Sequence, residues 1–331
     1  MRRVAIPTTL TPESTRPREG RRVALEGPTM GVAWTLQALV PPGVSDAAIA
    51  TAVQASCDSV VAEMSTWEPA SDLCRFNRAP AGTWSPAGAH LMTVLRAAAQ
   101  VADESGGAFD PTIGDLVDAW GFGPPGPVAR LPEPEASQSL AKATWRSIKL
   151  DEALGLIRQP GGVRLDLCGI AKGYGVDLAA QALRALGLRD FLIEIGGELR
   201  GEGVKGDGEP WWVEVERPPG ASLPEEPLLV ALHGLSIASS GDWRRAFTAG
   251  GRSYSHTIDP RAGAPVAGDI AAATVIHEDC MMADAYCTAL IASADEAESF
   301  ASRHDLAALI VRREARGFRE HATPALERLL A

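Results

Sequence analysis

The chain has 331 residues, of which 46% are hydrophobic and 22% charged, a composition typical of a folded globular protein. Its formal net charge of -11 repels phosphate backbones, which excludes nucleic acid as an expected partner. The five cysteines form no C-x-x-C pair and have no zinc-finger spacing, so neither a disulfide framework nor a structural zinc is indicated.

No window of the sequence has the length of a transmembrane helix, and the basic N-terminal segment lacks the apolar run of a signal peptide. We therefore expect a cytoplasmic protein that does not insert into a membrane. Residues 1–21 are expected to form a flexible leader, and residues 22–331 a single domain.

The first predicted elements are a hairpin and two helices. Residues 22–40 alternate in polarity around a glycine and predict a β-hairpin. Apolar residues recur at helical spacing over residues 45–64, after an N-cap at Ser45 or Asp46. A second helix is predicted over residues 87–106.

A Gly/Pro-rich loop at residues 120–135 precedes a clearer unit. Residues 164–167 predict a strand, and residues 169–188 predict a helix that ends at Gly187. A strand at 190–196 follows, and this order indicates a βαβ-like crossover. Other short strands are predicted at 145–150, 155–159, 211–216, 227–234, 235–241 and 271–276. With a last helix over residues 281–303, the elements predict an α+β fold with mixed sheets and packed helices.

The segment that follows the predicted strand at 164–167 could bind a phosphate. Asp166 lies on that strand, two glycines bracket the following turn, and Lys172 lies at the start of the next helix. Free backbone amides and a lysine at a helix N-terminus would suit a phosphate or a diphosphate. A tight turn with a solvated lysine explains the same residues equally well.

A second glycine-rich segment is interpreted differently. Residues 201–206, GEGVKG, match G-x-G-x-x-G by letter but lead directly into a predicted strand. Because no helix N-terminus follows to receive a pyrophosphate, we interpret the match as a glycine-rich hairpin loop.

Asp284 and Thr288 form a candidate metal site. They are four residues apart and therefore share one face of the last predicted helix. A carboxylate and a hydroxyl are hard oxygen ligands, which suit Mg²⁺ rather than zinc. The alternative is that Thr288 bonds back to its own helix while Asp284 caps the first turn.

Two further side chains could act on a ligand. His256, on a short strand that enters a Pro/Gly turn, could serve as a general acid or base or contact a phosphate. A lone histidine is more often structural. Trp67 could stack on a flat ring, although a helix end followed by a capped turn accounts for its segment as well.

Taken together, eight segments resemble, in their sequences and in their order, those of the ApbE family of FAD:protein FMN transferases. The older name of this family is thiamine biosynthesis lipoprotein ApbE. They span nearly the whole chain, from about residue 30 to about residue 312. The segments are MG (30–31), MSTWEPASDLCRFN (64–77), GAFDPTIGDLVDAWGFGP (107–124), LDLCGIAKGYGVD (165–177), IEIGGELRGEG (193–203), SIASSGDWRRAF (236–247), YSHTIDPRAGAPV (254–266) and CMMADAYCTAL (280–290).

The resemblance implies an ApbE-like, T-fold-like flavin transferase architecture for residues 22–331. It also implies a set of residues that contact FAD: Met30, Trp67, Ala108, Phe109, Asp110, Asp166, Lys172 and Ile258. Mg²⁺ would be bound by Gly169, through its carbonyl, and by Asp284 and Thr288. His256 falls at the family's histidine near the diphosphate, so that His256 and Asp284 are the implied catalytic residues.

The implied activity is Mg²⁺-dependent transfer of FMN from FAD onto a threonine or serine hydroxyl of a target protein, with release of AMP. The partners would be FAD and a flavin-acceptor protein. Two alternatives use the same site: a Mg²⁺-dependent FAD diphosphatase that yields FMN and AMP, and a non-catalytic FAD-binding protein.

Four positions depart from the family pattern. Val32 replaces a common threonine, Cys74 replaces a common serine, Cys168 replaces a small residue, and Glu214 replaces a glycine. Family members usually carry an export or lipoprotein signal, which this sequence does not show. The implied FAD and metal residues are retained, so these departures bear on the efficiency of transfer and on the identity of the acceptor.

Overall fold

The computed structural model describes residues 3–140, 144–221, 223, 226–243, 246–249 and 251–330. Its strands are β1 (Val4–Ala5), β2 (Arg21–Thr29), β3 (Val32–Val40), β4 (Trp84–Pro86), β5 (Lys149–Asp151), β6 (Leu156–Arg158), β7 (Asp190–Ile195), β8 (Glu198–Glu202), β9 (Trp211–Glu214), β10 (Leu229–Leu232), β11 (Leu235–Gly241), β12 (Ala246–Ala249), β13 (Arg252–Ser255), β14 (Ile258–Asp259), β15 (Ala264–Pro265), β16 (Ile270–His277), β17 (Ala307–Glu314) and β18 (Gly317–Ala322). Its α-helices are α1 (Asp46–Met64), α2 (Asp72–Arg78), α3 (Ala89–Glu104), α4 (Gly114–Ala119), α5 (Pro134–Leu140), α6 (Ala171–Ala185), α7 (Cys280–Ser293), α8 (Ala297–Arg303) and α9 (Pro324–Glu327).

An eight-stranded sheet organises the molecule, with the strand order β18-β17-β16-β11-β8-β7-β3-β2. Neighbouring strands in this sheet are antiparallel throughout. The helices α1, α6 and α7 pack against it, and α6 contacts both of the other two. This combination of sheet and packed helices confirms the predicted α+β class.

Alternation along the central strands separates two apolar cores. Val275 and Ile310 pack with the helices, whereas their neighbours Ile276 and Leu309 pack against the small sheet β1-β10-β9. Because successive side chains of a strand point to opposite faces, the helices cover one face of the sheet and the small sheet covers part of the other.

The β2–β3 hairpin confirms the prediction for residues 22–40 and brings an unusual residue to its turn. Thr29 pairs with Val32, which leaves Met30 and Gly31 as a two-residue turn. Both have positive φ, 46° and 73°, as the commonest hairpin turn requires. A methionine in this conformation is uncommon and costs free energy, so its presence marks a functional candidate.

Three predicted helices are confirmed. α1 begins after Ser45, whose Oγ accepts a hydrogen bond from the amide of Ala48 at 3.2 Å. α3 occupies most of the range predicted for the second helix. α6 ends before Gly187, which has a φ of 87°.

The predicted βαβ crossover is wrong. Within the described range 144–221, residues 164–167 do not form a strand, and Arg164 makes a single parallel bridge with Ile113. Leu165 and Leu167 are buried, but the main-chain groups of Leu165 bond to the side chain of Asn77 instead of to a neighbouring strand. α6 then leads into β7, which pairs antiparallel with β3 and β8.

The last predicted helix is two helices. α7 ends at Ser293, Ala294 has a φ of 48°, and a short 3-10 turn precedes α8. Two arginines from outside the helix bind the carbonyls at this break: Arg261 donates to Ala292 at 2.6 Å and Arg312 to Ala294 at 2.9 Å. These tertiary contacts satisfy carbonyls that a longer helix would have bonded internally.

The segment GEGVKG lies outside any helix start, as expected. It is not a hairpin loop, however, because β8 belongs to the large sheet and β9 to the small one. In the described residues, the segment therefore connects two sheets.

The N-terminal segment lies against the domain. Ala5 is buried, and β1 pairs in parallel with β10. Arg18 forms an ion pair with Asp190 at 2.8 Å. Residues 1–2 lie outside the described residues, and the division of the chain into a flexible leader (1–21) and one domain (22–331) stays a prediction. Among the helices of the described residues, none is both long and apolar enough to cross a membrane.

Candidate functional site

The start of α6 and the middle of α7 approach each other closely, and both carry predicted metal ligands. Gly169 precedes α6, and a Cβ added to it would lie 2.9 Å from Oγ1 of Thr288. One turn further on, the amide of Gly173 donates a hydrogen bond to Oδ2 of Asp284 at 3.0 Å. The structure therefore brings together Gly169, Asp284 and Thr288, which the sequence resemblance had grouped.

The Asp284 carboxylate is buried between these helices, with 3% of its surface exposed. Burial raises the pKa of Asp284, although Lys172 and the amide of Gly173 act in the opposite direction. A carboxylate in this position is stabilised by a further positive charge placed beside it.

The oxygen groups at this point fit Mg²⁺. A carboxylate, a hydroxyl and a main-chain carbonyl are hard donors, and so few protein ligands leave positions for water and substrate oxygens, as is usual for Mg²⁺. The close approach depends on the absence of a side chain at Gly169. Across the described residues, no three His, Cys, Asp or Glu side chains cluster as a metal site, so a nitrogen- or sulfur-rich centre is not indicated.

Lys172 lies in the first turn of α6, and its ammonium is 2.5 Å from Oε2 of the buried Glu198. Burial alone would lower the pKa of Lys172, but Asp284 and Glu198 together outweigh it and raise the pKa above its usual value. Lys172 is therefore a fixed positive charge at the site. The sequence had suggested that Lys172 either binds a phosphate or is solvated. Its ion pair with Glu198 shows that it is not simply solvated.

Glu198 was not identified from the sequence, although a signal was present. Charged residues alternate along β8, where Glu198, Arg200 and Glu202 follow one another at every second position. Each pairs with a residue of α6: Lys172 with Glu198, Asp177 with Arg200, and Arg184 with Glu202. Such alternation in a strand that is otherwise buried indicates a charged seam against a helix of complementary charge.

The predicted FAD-contacting residues 108–110 lie beside the turn that precedes α6. The amide of Asp166 donates to the carbonyl of Pro111 at 2.9 Å, which joins the two segments. A Cβ on Gly169 would lie 3.4 Å from the ring of Phe109. Ala108 and Phe109 are buried, so the structure packs this segment against the candidate metal site.

Two carboxylates lie where residues 108–110 meet the turn that precedes α6. Oδ1 of Asp110 accepts hydrogen bonds from the amide and the hydroxyl of Thr112, at 2.8 and 2.6 Å. Oδ1 of Asp166 accepts a hydrogen bond from the amide of the exposed Cys168 at 2.9 Å. Burial raises the pKa of both Asp110 and Asp166.

Met30 and Trp67 lie on separate loops. The end of the Met30 side chain reaches α6, where a Cβ on Gly175 would lie 3.0 Å from its Cε. Trp67 follows α1 and is 57% exposed. Asn77, which lies in α2 after this loop, bonds to both main-chain groups of Leu165 and so ties the Trp67 segment to the residues that precede Asp166. Asn77 was likewise not singled out from the sequence.

His256 and Ile258 lie in the segment that runs from β13 into β14. Ile258 is buried against Leu116 and Trp120, and its strand β14 also contacts α7. His256 is half-buried in the bend between β13 and β14 and meets the ring of Phe122 edge-on, with 6.5 Å between centroids. Arg261, which donates to the carbonyl of Ala292, fastens this loop to the end of α7.

Comparison with known proteins places the chain among flavin transferases. The model of the ApbE family matches residues 30–310. An FAD:protein FMN transferase of Vibrio cholerae is 31% identical over 318 residues, which cover 95% of this chain and 94% of the relative. An FAD:protein FMN transferase of Haemophilus influenzae is 32% identical over 322 residues, covering 94% and 92%.

Solved structures of flavin transferases have the same fold as this chain. The flavinyl transferase ApbE of Pseudomonas stutzeri, in its apo form, is 34% identical and superposes with a TM-score of 0.87, covering 94% of this chain and 98% of that one. The flavin transferase ApbE of Vibrio cholerae gives 29% identity and a TM-score of 0.84, covering 93% and 99%. The family match spans the residues of the candidate site, and the same fold extends over nearly the whole chain. This chain therefore belongs to the ApbE family.

Proposed function

We propose that this protein is a Mg²⁺-dependent FAD:protein FMN transferase, which moves FMN from FAD onto a threonine or serine hydroxyl of a target protein and releases AMP. The chain is a transferase by its family, whose curated relatives carry that activity in their names. The observation that supports the finer proposal is the convergence of the buried Asp284 with the half-buried Gly169 and Thr288 at the start of α6.

The proposed reaction exchanges one phosphate bond for another. The acceptor hydroxyl oxygen attacks the phosphorus on the FMN side of the FAD diphosphate, and the bond from that phosphorus to the bridging oxygen breaks. The bridging oxygen departs with AMP, and the hydroxyl proton is taken up by a base. Bound Mg²⁺ would supply positive charge to the diphosphate oxygens as negative charge builds on the leaving group.

The protein's own groups have distinct proposed roles. Asp284 and Thr288 would hold the cation, together with the carbonyl of Gly169. Lys172 adds a second positive charge, which Glu198 holds in place within 2.5 Å. The N-terminal end of α6 points its positive dipole at the same place. We assign the proton transfer to His256, the histidine on the loop that Arg261 fastens to α7.

The remaining FAD contacts are proposed from the resemblance and from their placement. Phe109 and Asp110 adjoin the turn at Gly169, which suits contact with the diphosphate end of FAD. The exposed Trp67 would offer its ring to a flat aromatic group of FAD. A cytoplasmic location, and with it a cytoplasmic acceptor, stays a prediction from the sequence.

The test is a pair of variants assayed for AMP and for acceptor mass. Asp284→Ala should abolish Mg²⁺-dependent AMP release, because it removes the one carboxylate of the candidate cation site. Asp295→Ala, an exposed acid just beyond the same helix, is the matched control and should retain full activity. The assay contains FAD, Mg²⁺ and a peptide or domain with a flavin-accepting threonine, with AMP followed by chromatography and acceptor by mass spectrometry.

The products of this assay distinguish a transferase, a diphosphatase and a non-catalytic FAD-binding protein. An acceptor that gains one FMN, with the gain lost on adding a chelator, supports the transferase. Free FMN and AMP without acceptor modification would instead make the protein a diphosphatase, with water as the attacking group. FAD that binds and is never cleaved would leave a binding protein. Full activity of Asp284→Ala would refute the cation site.

A further inference from the structure

We propose that Asp177 is a positioning residue, which sets the register of α6 against α7 and thereby the distances among the proposed cation ligands. The inference rests on the proposed cation site, but it concerns a residue outside that site. Asp177 lies in the second turn of α6, and none of its contacts described here is with a ligand-binding group.

The two helices meet in a ladder with three regularly spaced contacts. Gly169, Gly173 and Asp177 follow one another at intervals of four residues on one side. They lie opposite, in turn, Thr288, Asp284 and the start of α7 at Cys280. Residues four apart lie one above another on the same face of a helix, and Gly169, in the turn just before α6, extends the line of Gly173 and Asp177 by its contact with Thr288. The ladder therefore runs antiparallel along one line of contact. The first two contacts carry the proposed cation ligands, and the third is made by Asp177.

Asp177 makes the third contact with both oxygens of its carboxylate. Oδ1 accepts a hydrogen bond from the amide of Cys280 at 3.1 Å, and Oδ2 accepts one from the amide of Met281 at 2.9 Å. These amides open α7 and have no partner within their own helix. A helix N-terminus is usually capped by the residue that precedes it, but in the described structure Asp279 makes no side-chain capping bond. The cap of α7 is therefore supplied by a different helix.

A cap from another helix fixes the position of α7 along α6, and does not only stabilise the end of α7. A local cap would satisfy the same amides whatever the position of α7 along α6. The carboxylate of Asp177 satisfies them at one register only, in which Asp284 meets the amide of Gly173. Two bonds made by one carboxylate also restrain rotation of α7 about its own axis, which determines where Asp284 and Thr288 point.

Asp177 is itself held by the strand beneath. Nη1 of Arg200 lies 3.4 Å from Oδ1 of Asp177, and the same guanidinium also binds the carbonyl of Glu278, just before α7. Nε of Arg200 donates to Glu202 at 2.8 Å. Arg200 thus links β8, α6 and the approach to α7, so the carboxylate that defines the register is anchored to the central sheet.

The decisive variant is Asp177→Asn, which keeps the shape of the side chain but turns one acceptor into a donor that faces an amide N–H. Asp279→Asn is the matched control, because it makes the same chemical change at an acid that caps nothing within the described residues. The measurements are the Kd for Mn²⁺, used as a spectroscopic substitute for Mg²⁺ and followed by electron paramagnetic resonance, and the Tm of the metal-free protein.

We expect Asp177→Asn to raise the Kd for Mn²⁺ by about tenfold or more, the usual effect of losing a group that orients metal ligands. Asp279→Asn should leave the Kd unchanged. In hydrogen exchange, the amides of Cys280 and Met281 should lose protection in Asp177→Asn. A lower Tm with an unchanged Kd would reduce Asp177 to a structural cap and overturn the inference.

A milder variant covers the case in which Asp177→Asn does not fold. Arg200→Lys keeps a positive charge near Asp177 but cannot reach Asp177, Glu202 and the Glu278 carbonyl together, so a smaller rise in the Mn²⁺ Kd is expected. If Arg200→Lys folds and its Kd for Mn²⁺ is unchanged, this result would contradict the proposal that Asp177, held by Arg200, sets the register of the two helices.

The outcome is separable from that of the proposed function. If Asp284→Ala and Asp177→Asn both weaken Mn²⁺ binding and no FMN is transferred, the inference stands while the transferase proposal fails. If the unaltered protein binds no Mn²⁺ with or without FAD, the cation site and the inference fail together.

Discussion

Replacing Gly173 by alanine would test the packing of α6 against α7 directly. A Cβ at this position would overlap the carbonyl oxygen of Cys280, its nearest neighbour, and would lie 2.7 Å from the carbonyl carbon of Cys280 and 2.8 Å from Cβ of Asp284. Both neighbours belong to the frame of α7 and neither is the end of a flexible side chain, so rotation of a side chain cannot relieve the contact.

The size of the effect follows from this distance. To bring the contact with the carbonyl carbon of Cys280 from 2.7 Å to an ordinary 3.4 Å, the helices must separate by at least about 0.7 Å, and the nearer carbonyl oxygen requires more. Overpacking of this kind costs about 1–3 kcal/mol, and the higher helix propensity of alanine returns about 1 kcal/mol. We therefore expect the free energy of unfolding to fall by up to about 2 kcal/mol and Tm by up to a few degrees.

The loss of activity should be much larger than the loss of stability. A displacement near 1 Å at a catalytic site can lower a rate by about 100-fold. The separation acts on Asp284 itself and also lengthens its hydrogen bond from the amide of Gly173. We expect Gly173→Ala to remain folded while FMN transfer falls by about 100-fold and the Kd for Mn²⁺ rises.

Gly175→Ala provides the control in the same helix. The two atoms nearest to its Cβ would be the ends of flexible side chains, Cε of Met30 at 3.0 Å and Cδ1 of Ile195 at 3.3 Å. We expect its Tm and its Kd for Mn²⁺ to match those of the unaltered protein. Urea denaturation, Mn²⁺ titration and AMP release would be measured on all three proteins. A stable, fully active Gly173→Ala would refute the argument that this close approach forms the site.

Two further predictions concern the proposed FAD contacts. Trp67→Ala should leave Tm unchanged, because the side chain is 57% exposed. It should weaken FAD binding about fivefold in a fluorescence titration, which is equivalent to about 1 kcal/mol of stacking. An unchanged affinity for FAD would show that Trp67 is not part of the site. Burial raises the pKa of Asp110, so its charged form opposes folding. This cost is absent below the ordinary aspartate pKa and is complete only above the raised pKa. Asp110→Asn should therefore raise the urea midpoint at pH about 7.5 and do so less at pH about 3, which is below the ordinary aspartate pKa of about 3.9. An equal gain at both pH values would contradict the assignment.

Local sequence was sufficient for the elements whose signals are local. The β2–β3 hairpin, α1 with its Ser45 cap and the end of α6 at Gly187 were all predictable, because polarity period, capping residues and turn glycines act within a few residues. The grouping of Gly169, Asp284 and Thr288 came from the family resemblance, since nothing in their own spacing joins residues more than 100 positions apart.

Elsewhere, contacts from distant parts of the chain decided the structure. Residues 164–167 have the alternation of a strand, but their backbone is satisfied by Asn77, 88 residues from Leu165. The helical pattern runs on past Ser293, but Arg261 and Arg312 bind the carbonyls at the break. In both places a side chain remote in sequence satisfied backbone groups that the local pattern would have paired differently.

The sequence by itself thus determined the family, and with it the residues of the candidate site, because residue identities and their order are sufficient for a family resemblance. Only the tertiary structure decided how that site is held. Lys172 is paired with Glu198, and Asp177 caps a helix other than its own. Both arrangements depend on the packing of α6 between β8 and α7, and the charges involved compensate one another only after these elements have come together.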